Sequence, residues 1–235
     1  DLDGSNGFRL NGDDVGTSVS NAGDVNGDGF DDVIIGGYTS YVVFGREFGF
    51  GAEVNLSTLD GTNGFRLDGK DESSNQSGIS VSAAGDVNGD GFDDVMIGAQ
   101  YTNANGNSRA GSTYVVFGKS SGFEATLNLA HLVGSNGFRL DGTAAGDYSG
   151  RSVSSAGDVN GDGYDDLLVS APGAGPAWNI DSGFSYIIFG RSDFGGSIET
   201  HTGTPGDDNL VGSQAAEIFN AGDGNDDMIG RGGAD

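Results

Sequence analysis

Oxygen-bearing side chains recur at one fixed spacing in three places along the chain. In Asp24-Val25-Asn26-Gly27-Asp28-Gly29-Phe30-Asp31-Asp32 they fall at places 1, 3, 5 and 9, with glycine at place 6 for a sharp turn. Such a set is all hard oxygen, the chemistry of a divalent cation: Ca²⁺ gathers carboxylates, carbonyls and water in a flexible shell. Asp24, Asn26, Asp28 and Asp32 are each expected to give a side-chain oxygen and Phe30 its backbone carbonyl, with water completing the shell. The equivalent sets are Asp86, Asn88, Asp90, Phe92 and Asp94, then Asp158, Asn160, Asp162, Tyr164 and Asp166. Each holds three carboxylates, so one bound Ca²⁺ leaves a net charge of −1. Mg²⁺ fits less well, because it demands a tight octahedron and keeps its waters. Without an ion, nine clustered carboxylates would stand un-neutralised.

Loops of the EF-hand kind open the same way but carry a bidentate Glu at place 12. Here that place holds Ile35, Ile97 and Val169, which excludes them. Enzyme chemistry finds little to use. His131 and His201 have no candidate nucleophile near them in sequence, and His131 takes the place that Thr58 holds one repeat earlier, as a surface substitution. Each adjacent Asp pair, such as Asp31-Asp32, has one member committed to the ion, and neighbours on a strand point to opposite faces. Trp178, the single tryptophan, stands in a Pro-bearing loop, where it either stacks on a sugar or protein partner or covers its own loop. The chain is expected to be non-catalytic.

The segments that must position the acidic loops are themselves repeated. GDVNGDGFDD begins at Gly23 and Gly85, and GDVNGDGYDD at Gly157. SNGFRLNG, TNGFRLDG and SNGFRLDG precede them, from Ser5, Thr62 and Ser135, while YVVFG or YIIFG follows from Tyr41, Tyr114 and Tyr186. Short runs rich in Val, Ile, Phe and Tyr, bounded by Gly and Asn, read as strands. No glycine-free window carries a helical apolar stripe, so no substantial helix is expected. Each unit supplies about four strands: SVS before the loop, DDVIIGG after it, YVVFG, then GFRLDG. That is the content of a propeller blade. Phe8, Phe65 and Phe138 of GFRL and Phe44, Phe117 and Phe189 of FG recur once per unit and are expected between blades.

Of 235 residues, 35 are acidic and 10 are Lys or Arg, a net charge of −25, which argues against binding nucleic acid through its phosphates. No run approaches the length and apolarity of a membrane-spanning helix. The absence of cysteine excludes disulfides and thiolate metal sites.

The repeated stretches carry a family resemblance. GTSVSNAGDVNGDGFDDVIIGG, GISVSAAGDVNGDGFDDVMIGA and GRSVSSAGDVNGDGYDDLLVSAPGAG, each followed by YVVFG or YIIFG, resemble FG-GAP repeats, the blades of the integrin α-subunit propeller and of many bacterial extracellular proteins. The resemblance covers about residues 5–192. It implies an all-β fold of FG-GAP β-propeller blades, in which the calcium loop joins the innermost strand to the second and stiffens the blade. The sequence departs from the family in its Gly-Ala-Pro ends (Gly36-Gly37-Tyr38, Gly98-Ala99-Gln100, Ser170-Ala171-Pro172) and in having three units where the family usually has seven.

Past Phe194 the texture changes. From Gly203 the chain divides into GTPGDDNLV, GSQAAEIFN, AGDGNDDMI and GRGGAD, with Asp208, Glu217, Asp226 and Asp235 at the sixth place. A period of nine of this kind resembles the RTX β-roll of haemolysin-type proteins exported by type I secretion. It implies a short parallel β-roll in which calcium bridges turns 18 residues apart, pairing Asp208 with Asp226 and Glu217 with Asp235.

The expected organisation is three blade units at about 5–63, 64–136 and 137–192 within a propeller region 1–192, a linker at 193–202, and nonapeptide repeats at 203–235. The strand at Gly7–Leu10 has no blade of its own, and the third unit lacks a GFRLDG strand. Open blade edges are therefore expected to meet either the remainder of a longer polypeptide or other protein chains, in a ring or filament. The functional expectation is a secreted, calcium-stabilised adhesion, surface or matrix module that folds outside the cell, with a cell-surface protein or polysaccharide as partner. The alternatives are a non-catalytic segment of a secreted hydrolase or lyase, and a structural subunit of an extracellular filament.

Overall fold

The computed structural model describes residues 1–69, 77–175 and 183–194, and the backbone of four short strands between 199 and 229. In chain order the first strands are β1 (Arg9–Asn11), β2 (Val15–Gly23), β3 (Asp32–Gly37), β4 (Ser40–Val43), β5 (Glu53–Asn55), β6 (Gly64–Asp68) and β7 (Ser80–Gly85). They are followed by β8 (Asp94–Ala99), β9 (Ser112–Val116), β10 (Thr126–Asn128), β11 (Gly137–Asp141), β12 (Val153–Gly157), β13 (Asp166–Ala171) and β14 (Phe184–Ile188). The strands β15 (Glu199–Thr202), β16 (Asn209–Val211), β17 (Glu217–Asn220) and β18 (Asp227–Ile229) complete the set.

Three antiparallel blades result. β2, β3, β4 and β6 form the first, β7, β8, β9 and β11 the second, and β12, β13 and β14 the third. In the first two blades the outermost strand is the GFRLD stretch that opens the next sequence repeat, paired to the YVV strand before it with Phe65 opposite Val42 and Phe138 opposite Val115. The sequence pattern does not disclose two further pairings. Short β10 lies parallel to β6, and β5 lies parallel to β1, so each of these two GFRL strands is clasped by a later strand of its own sequence repeat. Immediately after β5 and β10, Asn55 and Asn128 cap a single 3₁₀ turn by accepting from the amides of Ser57 and Ala130. His131 ends the second of these turns, exposed, where Thr58 ends the first.

Alternation along the strands builds the core. In β8, Val95 and Ile97 face the first blade while Met96 faces the third, so the whole of Asp94–Ala99 is buried. That is the period-2 rule for a strand covered on both sides. In β13, Leu167 and Val169 pack toward the second blade, and Leu168, pointing the other way, is 38% exposed. Fully burying side chains of this size contributes about 1.5–3 kcal/mol each, so the layers between blades hold the stack together.

The tail strands pair in parallel at an offset of 18 residues: Asn209 with Asp227 in β16 and β18, Glu199 with Glu217 in β15 and β17. Strands 18 residues apart therefore share two separate two-stranded parallel sheets. The stretch read as a linker contributes β15. Trp178, with its loop, lies outside the described residues.

Candidate metal-binding loops

In every blade a β-bulge ends the first strand just before the acidic loop, where the register shifts at Gly23, Gly85 and Gly157. All three glycines have positive φ. A bulge bends the strand and re-aims the residues beyond it. Here it swings the first Asp of each loop out of the ladder, and the loop then returns into β3, β8 or β13. The loops thus join the first strand of each blade to the second.

Within the first loop the backbone draws the side chains inward. The Asp28 amide donates to Asp24 Oδ1 (3.0 Å) and Asn26 Oδ1 (2.9 Å), the Gly29 amide to Asp24 Oδ2 (2.8 Å), and the Phe30 amide to Asp28 Oδ1 (3.0 Å). The second loop repeats this with Asp90 on Asp86 and Asn88, Gly91 on Asp86, and Phe92 on Asp90. In the third, Asp162 donates to Asp158 and Asn160, Gly163 to Asp158, and Tyr164 to Asp162. These donated bonds hold the exposed Asp158 carboxyl below the usual carboxylate range, the Gly163 amide first among them.

The ninth place behaves differently. Asp32, Asp94 and Asp166 are wholly buried. Each accepts one bond from the loop's second residue, Val25, Val87 or Val159 (2.9, 3.0 and 2.8 Å). The other oxygen accepts from the glycine of the FG pair, Gly45, Gly118 or Gly190 (2.7, 2.9 and 2.9 Å). That glycine is needed because a Cβ at Gly45, Gly118 or Gly190 would lie 2.4 Å from the carbonyl oxygen of Asp31, Asp93 or Asp165. Burial pushes Asp32 up to about 7 and Asp94 up to about 8, against the lowering effect of those two amides. A buried carboxylate is costly unless something positive compensates it. None of the ion pairs among the described residues involves a loop carboxylate.

Among the described residues no three acidic or histidine side chains stand around one point in the arrangement of a metal cage. What the loops do offer a hard divalent cation is the chemistry of their donors. They offer hard oxygens, amides that turn those oxygens inward, and at the base a buried carboxylate with no cationic side chain. Of the tail residues, Glu217 lies in β17, whose backbone alone is described, and Asp208, Asp226 and Asp235 lie outside the described residues.

One role is not evident from loop spacing. The acid at place 8 reaches across to the preceding blade: Asp93 Oδ2 accepts from the Asp24 amide (2.8 Å) and Asp165 Oδ2 from the Asp86 amide (3.0 Å). Its recurrence in all three copies, at a place that ion binding does not require, was the available signal. The first and second loops are thus fastened at their first residue by the blade that comes after.

Residues 15–49, 77–116 and 149–188 match the family model for the FG-GAP repeat. The chain carries three FG-GAP repeats. The matched segments each contain one acidic loop and the strands on either side of it. Integrin alpha-PS2 of Drosophila melanogaster is 32% identical over 172 residues, 72% of this chain and 11% of that protein. Integrin alpha-2 of Bos taurus is 30% identical over 174 residues, 69% of this chain and 14% of its own length. Integrin alpha-4 of Xenopus laevis is 29% identical over 161 residues, 64% of this chain and 14% of that protein. The FG-GAP chain thus spans between 11% and 14% of the length of these relatives. No helix among its described residues is long and apolar enough to cross a membrane.

Proposed function

We propose that this chain is a non-catalytic, calcium-stabilised adhesion module of a secreted or surface protein, folding as it meets extracellular calcium. Three sites carry the ion: Asp24, Asn26, Asp28, Phe30 and Asp32, with their counterparts at 86–94 and 158–166. The tail adds one or two more through Asp208 with Asp226 and Glu217 with Asp235. The observation that carries the reading is the buried ninth-place carboxylate, held by two amides beneath a rim of oxygens and lacking a cationic side chain. When bound, Ca²⁺ supplies the missing positive charge, and its binding free energy adds to folding. The chain's own residues orient the donors through loop amides and tie the first two loops to the next blade through Asp93 and Asp165. The FG-GAP match and the integrin relatives support a partner-binding role at a cell surface or matrix, with protein or polysaccharide as ligand. The tail's period of nine supports export of the type I kind.

Chelation is expected to lower the melting temperature by tens of degrees: three sites at about 2.7 kcal/mol each, for calcium near 100 times Kd, at about 2–4 °C per kcal/mol. An unchanged melt refutes the reading. Calorimetric titration reads the stoichiometry, which should fall to three when Asp208, Glu217, Asp226 and Asp235 are all replaced by Ala.

A further inference from the structure

The three buried ninth-place carboxylates are joined to one another by a single path of backbone hydrogen bonds. Val25 is held at both of its polar ends: its amide donates to Asp32 Oδ2 of its own loop (2.9 Å), and its carbonyl accepts from the Lys119 amide of the second blade (2.9 Å). Lys119 follows Gly118, whose amide donates to Asp94 Oδ1 (2.9 Å). From there the pattern repeats. Asp94 Oδ2 accepts from the Val87 amide (3.0 Å), the Val87 carbonyl accepts from the Arg191 amide (2.8 Å), and the amide of Gly190, one residue earlier, donates to Asp166 Oδ1 (2.9 Å). One loop residue and two residues of the following blade's FG corner thus stand between each buried carboxylate and the next.

The path has little slack. Val25, Val87 and the three carboxylates are all 0% exposed. A Cβ on Gly118 would lie 2.4 Å from the Asp93 carbonyl oxygen of its own blade's loop and 2.7 Å from the Val25 carbonyl oxygen of the preceding loop. On Gly190 it would lie 2.4 Å from that of Asp165 and 2.8 Å from that of Val87. Both glycines are wedged between two acidic loops, and at the density of a protein interior a shift of one loop is felt by the other. The seventh place bridges in the same sense: a Cβ on Gly27 would meet the Phe92 ring at 2.4 Å, and one on Gly89 the Tyr164 ring at 2.5 Å.

We propose that calcium binding at successive loops is coupled through this path, so that a filled site raises the calcium affinity of its neighbours. The coupling rests on the calcium reading of the loops and adds their regulation to it. Asp94 and the Phe92 carbonyl belong to the second site, yet Asp94 holds Gly118, Lys119 holds the Val25 carbonyl, and the Phe92 ring lies on Gly27. A cation that fixes Asp94 and Phe92 therefore also orders Val25, whose amide orients Asp32 in the first site. Part of the first site's ordering cost is met before its own ion arrives, which is positive coupling without a change of fold. Charge works against this, because a bound ion lowers the negative potential its neighbour feels, and salt screens that effect. Linkage makes the coupling reciprocal, and since the path from the first site to the third runs through Asp94, it weakens with distance along the stack. The bonds of Asp93 and Asp165 lie outside the path and fasten the loops with or without the ion. A vacated site then costs its own share of calcium stabilisation plus part of its neighbours'.

The test titrates calcium into the full 235-residue chain at physiological ionic strength, below the melt of the chelated protein, with folding followed by circular dichroism. The amide resonances of Gly29, Gly91 and Gly163, which donate to Asp24, Asp86 and Asp158, read the three sites separately. Asp162→Asn takes one carboxylate from the third site and keeps an acceptor for Tyr164; the bonds to the Asp162 side chain come from Asn160 and Tyr164 of its own loop, so the second blade is untouched. In the wild type the three glycines should titrate together, more steeply than a single-site curve. In Asp162→Asn the midpoint at Gly91 should rise about 5-fold or more, the lower end of coupling between linked sites, and that at Gly29 by less. Asp165→Ala should leave the shift at Gly91 in place. A Gly91 midpoint that does not move would overturn the coupling and leave the calcium reading standing. Equal shifts at Gly29 and Gly91 would overturn the path in favour of global folding, and a shift abolished by Asp165→Ala would overturn it in favour of the rim bond. No saturable response at any of the three glycines would overturn the calcium reading and the coupling with it.

Discussion

Replacing Asp94 by Asn separates the structural work of the ninth place from its proposed work as a ligand. Asp94 is wholly buried and accepts from the amides of Val87 (3.0 Å) and Gly118 (2.9 Å). Asn keeps one acceptor oxygen and turns an NH₂ toward the other amide, leaving a buried donor unsatisfied at a cost of about 1–3 kcal/mol. That cost is the same with or without the ion. The change in charge matters little in chelator at pH 7, because burial pushes Asp94 up to about 8 and keeps it mostly protonated. In calcium the variant also loses an ionised ligand, and a site held near 100 times its Kd contributes about 2.7 kcal/mol. Loss of stability is therefore about 1–3 kcal/mol in chelator and about 4–6 kcal/mol in calcium. At about 2–4 °C per kcal/mol, the melting-temperature deficit in calcium should exceed that in chelator by about 5–11 °C. Thermal unfolding of wild type and Asp94→Asn in millimolar calcium and in EDTA reads both. Equal deficits in the two conditions would refute the assignment of Asp94 as a ligand.

Asp165→Ala removes the acceptor for the Asp86 amide between the second and third blades; a bond to a charged group of this kind contributes about 1.5–3 kcal/mol, and the loss should be similar in calcium and chelator. Gly89→Ala forces a side chain onto φ +74 and puts its Cβ 2.5 Å from Tyr164 Cε1; the backbone alone costs about 1–2 kcal/mol, so denaturant melts should show at least that. In the chelated protein Asp32 and Asp94 have folded-state values raised to about 7 and 8 above the ordinary 3.8. The native state then holds protons that the unfolded chain has released, so stability should fall as pH rises from about 4 to 8. Chevron or urea titrations across that range check the sign, and a rise with pH in EDTA would contradict it.

The blades were legible because each unit repeats its instructions. Alternating Val and Ile, a bulge glycine, an acidic loop and a GFRL strand recur in one order, and period-2 burial follows from the pleat alone. The acidic loops were legible for a similar reason, since oxygen-bearing side chains at alternate places on a tight turn are a local property of the chain. The clasp of β10 on β6 was not, because Thr126–Asn128 carries no pattern long enough to announce a strand, and its partner lies some sixty residues away. Nor was the reach of Asp93 to Asp24, which depends on how one sheet is stacked on the next.

By itself, then, the sequence determined the all-β architecture and the three FG-GAP loops, because these rest on local spacing and repetition. The tertiary structure alone decided which carboxylate of each Asp pair is buried and which fastens the neighbouring blade. The reason is physical: whether a carboxyl is desolvated, and whether a face is covered, depends on atoms contributed by another sheet, and no local pattern records which sheet that is.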